Sequence, residues 1–217
     1  MKKLGIFIAA SALTLSLAAC GSGASSTTTT AAAAETTAAA SAETTAAAGA
    51  ATELTEISAG MCSTPAILTS IGQSADVDIA NTLCTKAGIE VTMNKNITGA
   101  DLPDDCKTLI LAVGGSSKGL GAAGIDADQE LARTDALISA AKEKGIIVLH
   151  TGGSARRGTL SDSFITPAFQ GCDAAIVVSE GDSDGLMSGI LSGNGTPAIY
   201  VDNTAGTLDA LKTAFGL

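Results

Sequence analysis

The sequence predicts an α/β protein: a single doubly wound parallel sheet of five to six strands, flavodoxin- or Rossmann-like, covered on both faces to give three α/β/α layers. Two observations carry this. Short continuous runs of β-branched and other apolar residues recur along 61–217 and are separated by helical patterns, as expected for strands buried on both faces. The connections also fall into two populations: helix-to-strand links are short and plain, whereas segments leaving the strands are rich in Gly, Ser and charged residues.

The elements follow in order. The first run, 65–70 (PAILTS), leaves through Ser70-Ile-Gly-Gln-Ser74 into a helix over 74–87, with Cys84 on its apolar side as a plain core residue. Gly88 suits the left-handed cap that ends it. A second run, 89–93 (IEVTM), leads into NKNITGADLPDDCK, which is poor helix and makes the second crossover the weakest unit. The third run, 108–113 (TLILAV), opens onto Gly114-Gly-Ser-Ser-Lys-Gly-Leu-Gly121, and the next helix is expected over 127–144, with Asp126 as its N-cap. The run 145–150 (GIIVLH) precedes TGGSARRG and a helix near 161–170. The run 174–179 (AAIVVS) precedes EGDSDG and a helix near 183–192. The last run, 197–201 (PAIYV), precedes DNTAG and a closing helix over 205–215.

Residues 61–217 are the size of one domain and carry 10 Lys+Arg against 18 Asp+Glu. That acidity argues against nucleic acid and against anionic lipid as direct partners. With no Trp and a single Tyr, sugar-stacking platforms are not expected. One His and no Cys-x-x-Cys leave no familiar zinc spacing, and neither a metal nor a cofactor is expected. Cys62 and Cys106 each precede a strand and could meet in a disulfide, which export would permit but the sequence does not demand.

The front of the chain reads as an address. Lys2 and Lys3 form a charged region, Leu4–Leu17 is apolar, and Leu17-Ala18-Ala19-Cys20 resembles the lipobox of bacterial lipoproteins. The resemblance implies a signal peptide over 1–19. It also implies palmitate-type acylation of Cys20 and anchoring on the outer face of the cytoplasmic membrane, with the protein extracytoplasmic. Residues 20–60 then form an Ala/Thr/Ser-rich tether containing AETTAAA twice, too poor in large apolar residues to offset the entropy of ordering.

Residues 113–126, VGGSSKGLGAAGID, contain both Gly119-x-Gly121-x-x-Gly124 and Gly115-x-Ser117-x-Gly119. As a dinucleotide fingerprint the stretch fails: the glycines start too late after the strand, and His150-Thr151 stands where a ribose-binding acid belongs. From Gly114 the stretch also resembles the T-G-x-x-x-G-x-G loop of short-chain dehydrogenases, with Gly114 in place of the threonine, but no Tyr-x-x-x-Lys pair is present, since the only tyrosine, Tyr200, is followed four residues later by Thr204. As a nucleophile elbow it would use Ser117 as nucleophile, His150 as base and Asp162 as orienter, a Ser/His hydrolase of esters or phosphoesters. The reading better supported by residue type is an anion-binding nest. Gly115, Ser116, Ser117 and Lys118 offer donors, Arg156 and Arg157 suit bidentate capture of a carboxylate or phosphate, and Ser70, Gln73 and Ser74 form the opposite wall. If the first and third strands are neighbours, their loops are expected to diverge and open a crevice there.

The segments ILTSIGQSADV, TLILAVGGSSKGLGAAGID, ARRGTLSDSFI and VVSEGDSDGL resemble a domain-of-unknown-function family of exported bacterial α/β proteins, over essentially all of 64–217. The resemblance implies one exported domain and no activity. Function is therefore expected as binding of a small anionic ligand, with a transporter or sensor partner left open. A hydrolase and a non-catalytic surface interaction module are the alternatives.

Overall fold

The computed structural model describes residues 54–155 and 157–217; the signal peptide, Cys20, the tether up to residue 53 and Arg156 lie outside the described residues. Six strands alternate with helices. They are β1 (Ala66–Ile71), α1 (Asp76–Ala87), β2 (Val91–Met93), β3 (Thr108–Val113), α2 (Ser117–Ala123), α3 (Ala127–Ala140), β4 (Gly145–His150), α4 (Asp162–Gln170), β5 (Ala174–Val178), α5 (Leu186–Asn194), β6 (Ala198–Val201) and α6 (Thr207–Phe215). The sheet is wholly parallel, in the order β2-β1-β3-β4-β5-β6. The chain thus builds outward from β1 in one direction and then the other, placing the switch point between β1 and β3.

Alternation along the strands separates two apolar layers. Ile67, Ile71, Leu109, Leu111, Val148 and Val177 face α3, α4 and α5, around Phe164, Phe169 and Leu137. Leu68, Ile110, Ile147, Leu149 and Ile176 face α1 and α6, against Val77, Leu83, Cys84 and Leu211. Each fully buried side chain of this size stabilises the fold by roughly 1.5–3 kcal/mol. The same alternation decides the disulfide question. Cys62 belongs to the α1/α6 layer and Cys106 to the opposite one, so the sheet stands between them, and both are free thiols.

Helix α3 ends at Ala140 rather than 144 and α5 starts at Leu186 rather than 183, and two further segments differ in kind from the sequence expectation. Ser117–Ala123, read as loop, is a short helix: Ser116 caps it by accepting from Gly119 N at 3.0 Å, Leu120 is buried beneath it, and Gly124 ends it in the left-handed region. Residues 54–60, placed in the tether by composition, are part of the fold. Thr55 O accepts from Ala198 N at 2.7 Å, Ile57 is buried in the α1/α6 layer, and Gly60 N donates to Thr213 O at 3.0 Å. This lead crosses the amino edge of the sheet, opposite the polar loops. The second crossover contains only a 3-10 turn at Gly99–Asp101, in keeping with its poor helical composition. Asp126 caps α3 through a reciprocal capping box with Gln129. No helix among the described residues is long and apolar enough to cross a membrane.

Candidate functional site

The loops after β1 and β3 meet rather than diverge. Gly114 N donates to Ile71 O and Ser116 N to Gly72 O, both at 2.9 Å, and Gln73 and Gly115 form an antiparallel bridge. Glycine is required by close approach. A Cβ on Gly114 would lie 2.4 Å from Ser74 Oγ, and one on Gly119 only 1.8 Å from Gln73 O. Gly115 N is also engaged, donating to Ser161 Oγ at 2.9 Å. The expected crevice is therefore filled at its floor, and the amides of Gly114, Gly115, Ser116 and Gly119 serve internal packing rather than a nest.

Behind this junction lies a pair that sequence reasoning missed. Glu130 of α3 is fully buried and accepts from Gly72 N at 2.8 Å, from Gln73 Nε2 at 3.2 Å, and from Arg133 Nε and Nη2 at 2.8 Å each. Arg133 in turn donates to Ile97 O at 2.8 Å and to Ser70 O. The pair fastens the β1 loop to the loop after β2. It was detectable: Glu130 falls on the same helical stripe as Thr134, Leu137 and Ala141, all buried, and a carboxylate on a core-facing stripe demands a partner. Gln73 is held where the two loops meet, with its backbone at φ 57°, the one non-glycine residue with positive φ among the described residues. Such a conformation costs on the order of 1–3 kcal/mol and persists only where surroundings over-determine it.

Outside the junction opens a cleft of about 430 Å³. It is bordered by Gln73, Ser74 and Asp78, by Lys95 and Asn96 of the loop after β2, and by Ser116, Lys118 and Gly119. Gln73, Ser74, Ser116 and Lys118 are thus brought together as expected. Ser74 is partly committed inward. Its Oγ donates to Asp76 Oδ2 at 2.5 Å, and Asp76 Oδ1 accepts from Thr151 Oγ1 at 2.8 Å, so the buried Asp76 ties the β1 loop to the β4 loop. Ser70, Gly115 and Ser117 do not line the cleft: Ser70 is buried with its Oγ unpartnered, and Ser117 is exposed on the first turn of α2. Arg157 is also elsewhere, paired with Asp162 and, at 2.9 Å, with Asp184. Lys95 and Asn96 went unnoticed in the sequence because nothing local marks the second crossover as part of a site, and Asp78 because it sits in the first turn of α1 like any acidic residue at a helix start. Lys95 pairs with Asp78 at 2.8 Å.

The Ser/His/Asp arrangement is not assembled. His150 is buried and its Nε2–H donates to Ala155 O at 2.7 Å, which fixes the tautomer and leaves Nδ1 without a partner. Burial pushes its pKa below the ordinary value, against the pull of the backbone bond and of Asp76 and Asp182. Asp162 accepts from Gly158 N at 3.2 Å and pairs with Arg157 rather than orienting the imidazole. A Cβ on Gly181 would stand 2.1 Å from His150 Cε1, so the imidazole is packed from above as well. Among the described residues, no group of three or more His, Cys, Asp or Glu side chains could hold a metal ion.

A family model described as a domain of unknown function (DUF6305) matches residues 63–215, from just before β1 to the end of α6. The chain belongs to the DUF6305 family. The family description assigns no activity. No curated protein and no solved structure matches the chain.

Proposed function

We propose that this is a lipid-anchored extracytoplasmic protein that binds a small anionic metabolite in the cleft between Gln73, Asn96, Ser116 and Lys118. The observation that carries the reading is Lys118. It borders the cleft, is exposed, and makes no ion pair among the described residues, on a domain with a net excess of acidic groups. Lys95 adds a second cation, balanced by Asp78. Arg157 is excluded from the site because two carboxylates already hold it. Anchoring is supported by the apolar Leu4–Leu17 stretch ending at Leu17-Ala18-Ala19-Cys20. Service to a transporter or a sensor is compatible with such a tethered binder.

The test is thermal-shift screening of carboxylates and phosphates, followed by calorimetry. A charge-assisted hydrogen bond contributes about 1.5–3 kcal/mol, so Lys118→Ala should weaken a genuine ligand by about tenfold or more. Binding unchanged in that variant removes the site. A panel with no stabilising ligand leaves a surface interaction module as the better reading. For the anchor, Cys20→Ala should abolish lipid labelling and leave the precursor unprocessed; normal processing in that variant would mean an ordinary signal peptide.

A further inference from the structure

The donors and acceptors around the cleft are unevenly distributed, and this narrows the class of ligand. Glu130 Oε1 and Lys95 O, both acceptors, lie 3.2 Å from Gln73 Nε2. Both protons of the carboxamide are thereby committed, and its Oε1 is the side chain's remaining polar atom, able only to accept. The bridge to Gly115 and the close approach of Gly119 fix the backbone of Gln73, and the two bonds of Nε2 hold its side chain. Asp78 stands beside it, with both carboxylate oxygens 2.8 Å from Lys95 Nζ and lone pairs left over to accept. On the α2 side of the cleft the balance reverses. Lys118 offers three N–H donors, and Ser116 Oγ, which accepts from Gly119 N, keeps its own O–H to donate.

A bare anion would satisfy the donor side but leave Gln73 Oε1, and the lone pairs of Asp78 that Lys95 does not take, facing it on the other. We infer that the ligand is a bifunctional small acid: an anionic group met by Lys118 and Ser116, and a hydroxyl or ammonium donor met by Gln73 Oε1 and Asp78. This rests on the reading of the cleft as a ligand site. Discrimination follows from the asymmetry of polar recognition, since an analogue lacking the donor leaves a desolvated acceptor unpaired.

The experiment uses wild-type protein and matched probes: 2-hydroxy and 2-amino carboxylates against unsubstituted carboxylates of the same length, with inorganic phosphate alongside, each titrated by calorimetry. The donor-bearing member of a pair should bind about tenfold tighter or better, with Lys118→Ala losing that binding. Plain carboxylates or phosphate binding as tightly as their donor-bearing counterparts would overturn the bifunctional class while leaving the anion cleft standing. No binding by any probe, or binding indifferent to Lys118→Ala, would overturn the cleft itself and this inference with it.

Discussion

Replacing Arg133 by Leu removes the guanidinium bonds by which α3 holds Ser70 and the loop after β2. The guanidinium gives two bonds of 2.8 Å to Glu130, one of 2.8 Å to Ile97 O and one to Ser70 O. Without it, a fully buried carboxylate keeps only Gly72 N and Gln73 Nε2, and two carbonyls lose a donor. Breaking a buried pair by removing one partner costs about 3–5 kcal/mol. The orphaned carbonyls, at roughly 1 kcal/mol each, place this case toward the upper end. Against a total of about 5–15 kcal/mol for a domain, that is a large fraction, and it corresponds to a fall in Tm of roughly 6–20 °C at this chain size. Urea unfolding followed by circular dichroism, for Arg133→Leu, Glu130→Leu and the double variant, measures it as a cycle. Hydrophobic replacement of an ordinary buried pair often restores stability. Here it should not, because Gly72 N, Ser70 O and Ile97 O remain unanswered, and the double variant should stay at least about 2 kcal/mol below wild type. An Arg133→Leu variant within about 1 kcal/mol of wild type, or a double variant restored to it, would refute the idea that the pair braces these loops.

Other consequences are equally accessible. His150 has its folded-state pKa below the ordinary 6.5, so the unfolded chain takes up the proton first. Its contribution to stability is complete above that value and declines as pH falls below it, toward the folded pKa. Urea midpoints between pH 5 and 8 should show that decline reduced in His150→Gln, and identical slopes would contradict the burial argument. Gly119→Ala should destabilise by about 1–3 kcal/mol, because its Cβ would meet Gln73 O at 1.8 Å. Gly121→Ala two residues on, with open space around its Cβ, should be neutral or gain about 0.5–1 kcal/mol in the helix. Comparable losses from both would show that helix α2 is not packed as described. Burial raises the thiols of Cys62 and Cys84 to about 11 and that of Cys172 to about 12, and raises Cys106 as well. All four should resist iodoacetamide at neutral pH until urea unfolds the domain, as mass spectrometry of alkylated peptides would reveal.

What could be read in the sequence was what strand chemistry writes locally. The apolar runs located the six strands to within two residues at either end, and Asp126 announced the start of α3. Helix α2 was hidden because Gly119 and Gly121 lower its intrinsic propensity, and tertiary contact under Leu120 overrides that. The same glycine run was legible as unusual but not as to purpose: tolerance of a neighbouring carbonyl looks in one dimension like freedom to cradle a phosphate. Gln73, Ser74, Ser116 and Lys118 were found because strand-end loops converge at the switch point. Lys95 and Asp78 were not, since their pairing spans 17 residues and two elements. The loss of Arg157 to Asp162 and Asp184 is of the same kind: local composition reveals a charge but not the counter-charge that folding brings to it.

The lead across the amino edge passes beside the carboxyl end of the fold. Gly60 N bonds to Thr213 O, Cys62 N bonds to Ala214 O at 2.8 Å, and a Cβ on Gly216 would lie 3.2 Å from Gly60 Cα. A circular permutation that joins the carboxyl end to residue 60 would therefore need only a short linker. The domain also has a mechanical polarity. Tension applied between Leu54 and the carboxyl end loads the few bonds that join the lead to β6 and α6, while the strands, linked side by side beyond that seam, carry little of it. Gln73, Glu130 and Lys118, at the opposite edge, would keep their geometry while the seam gave way.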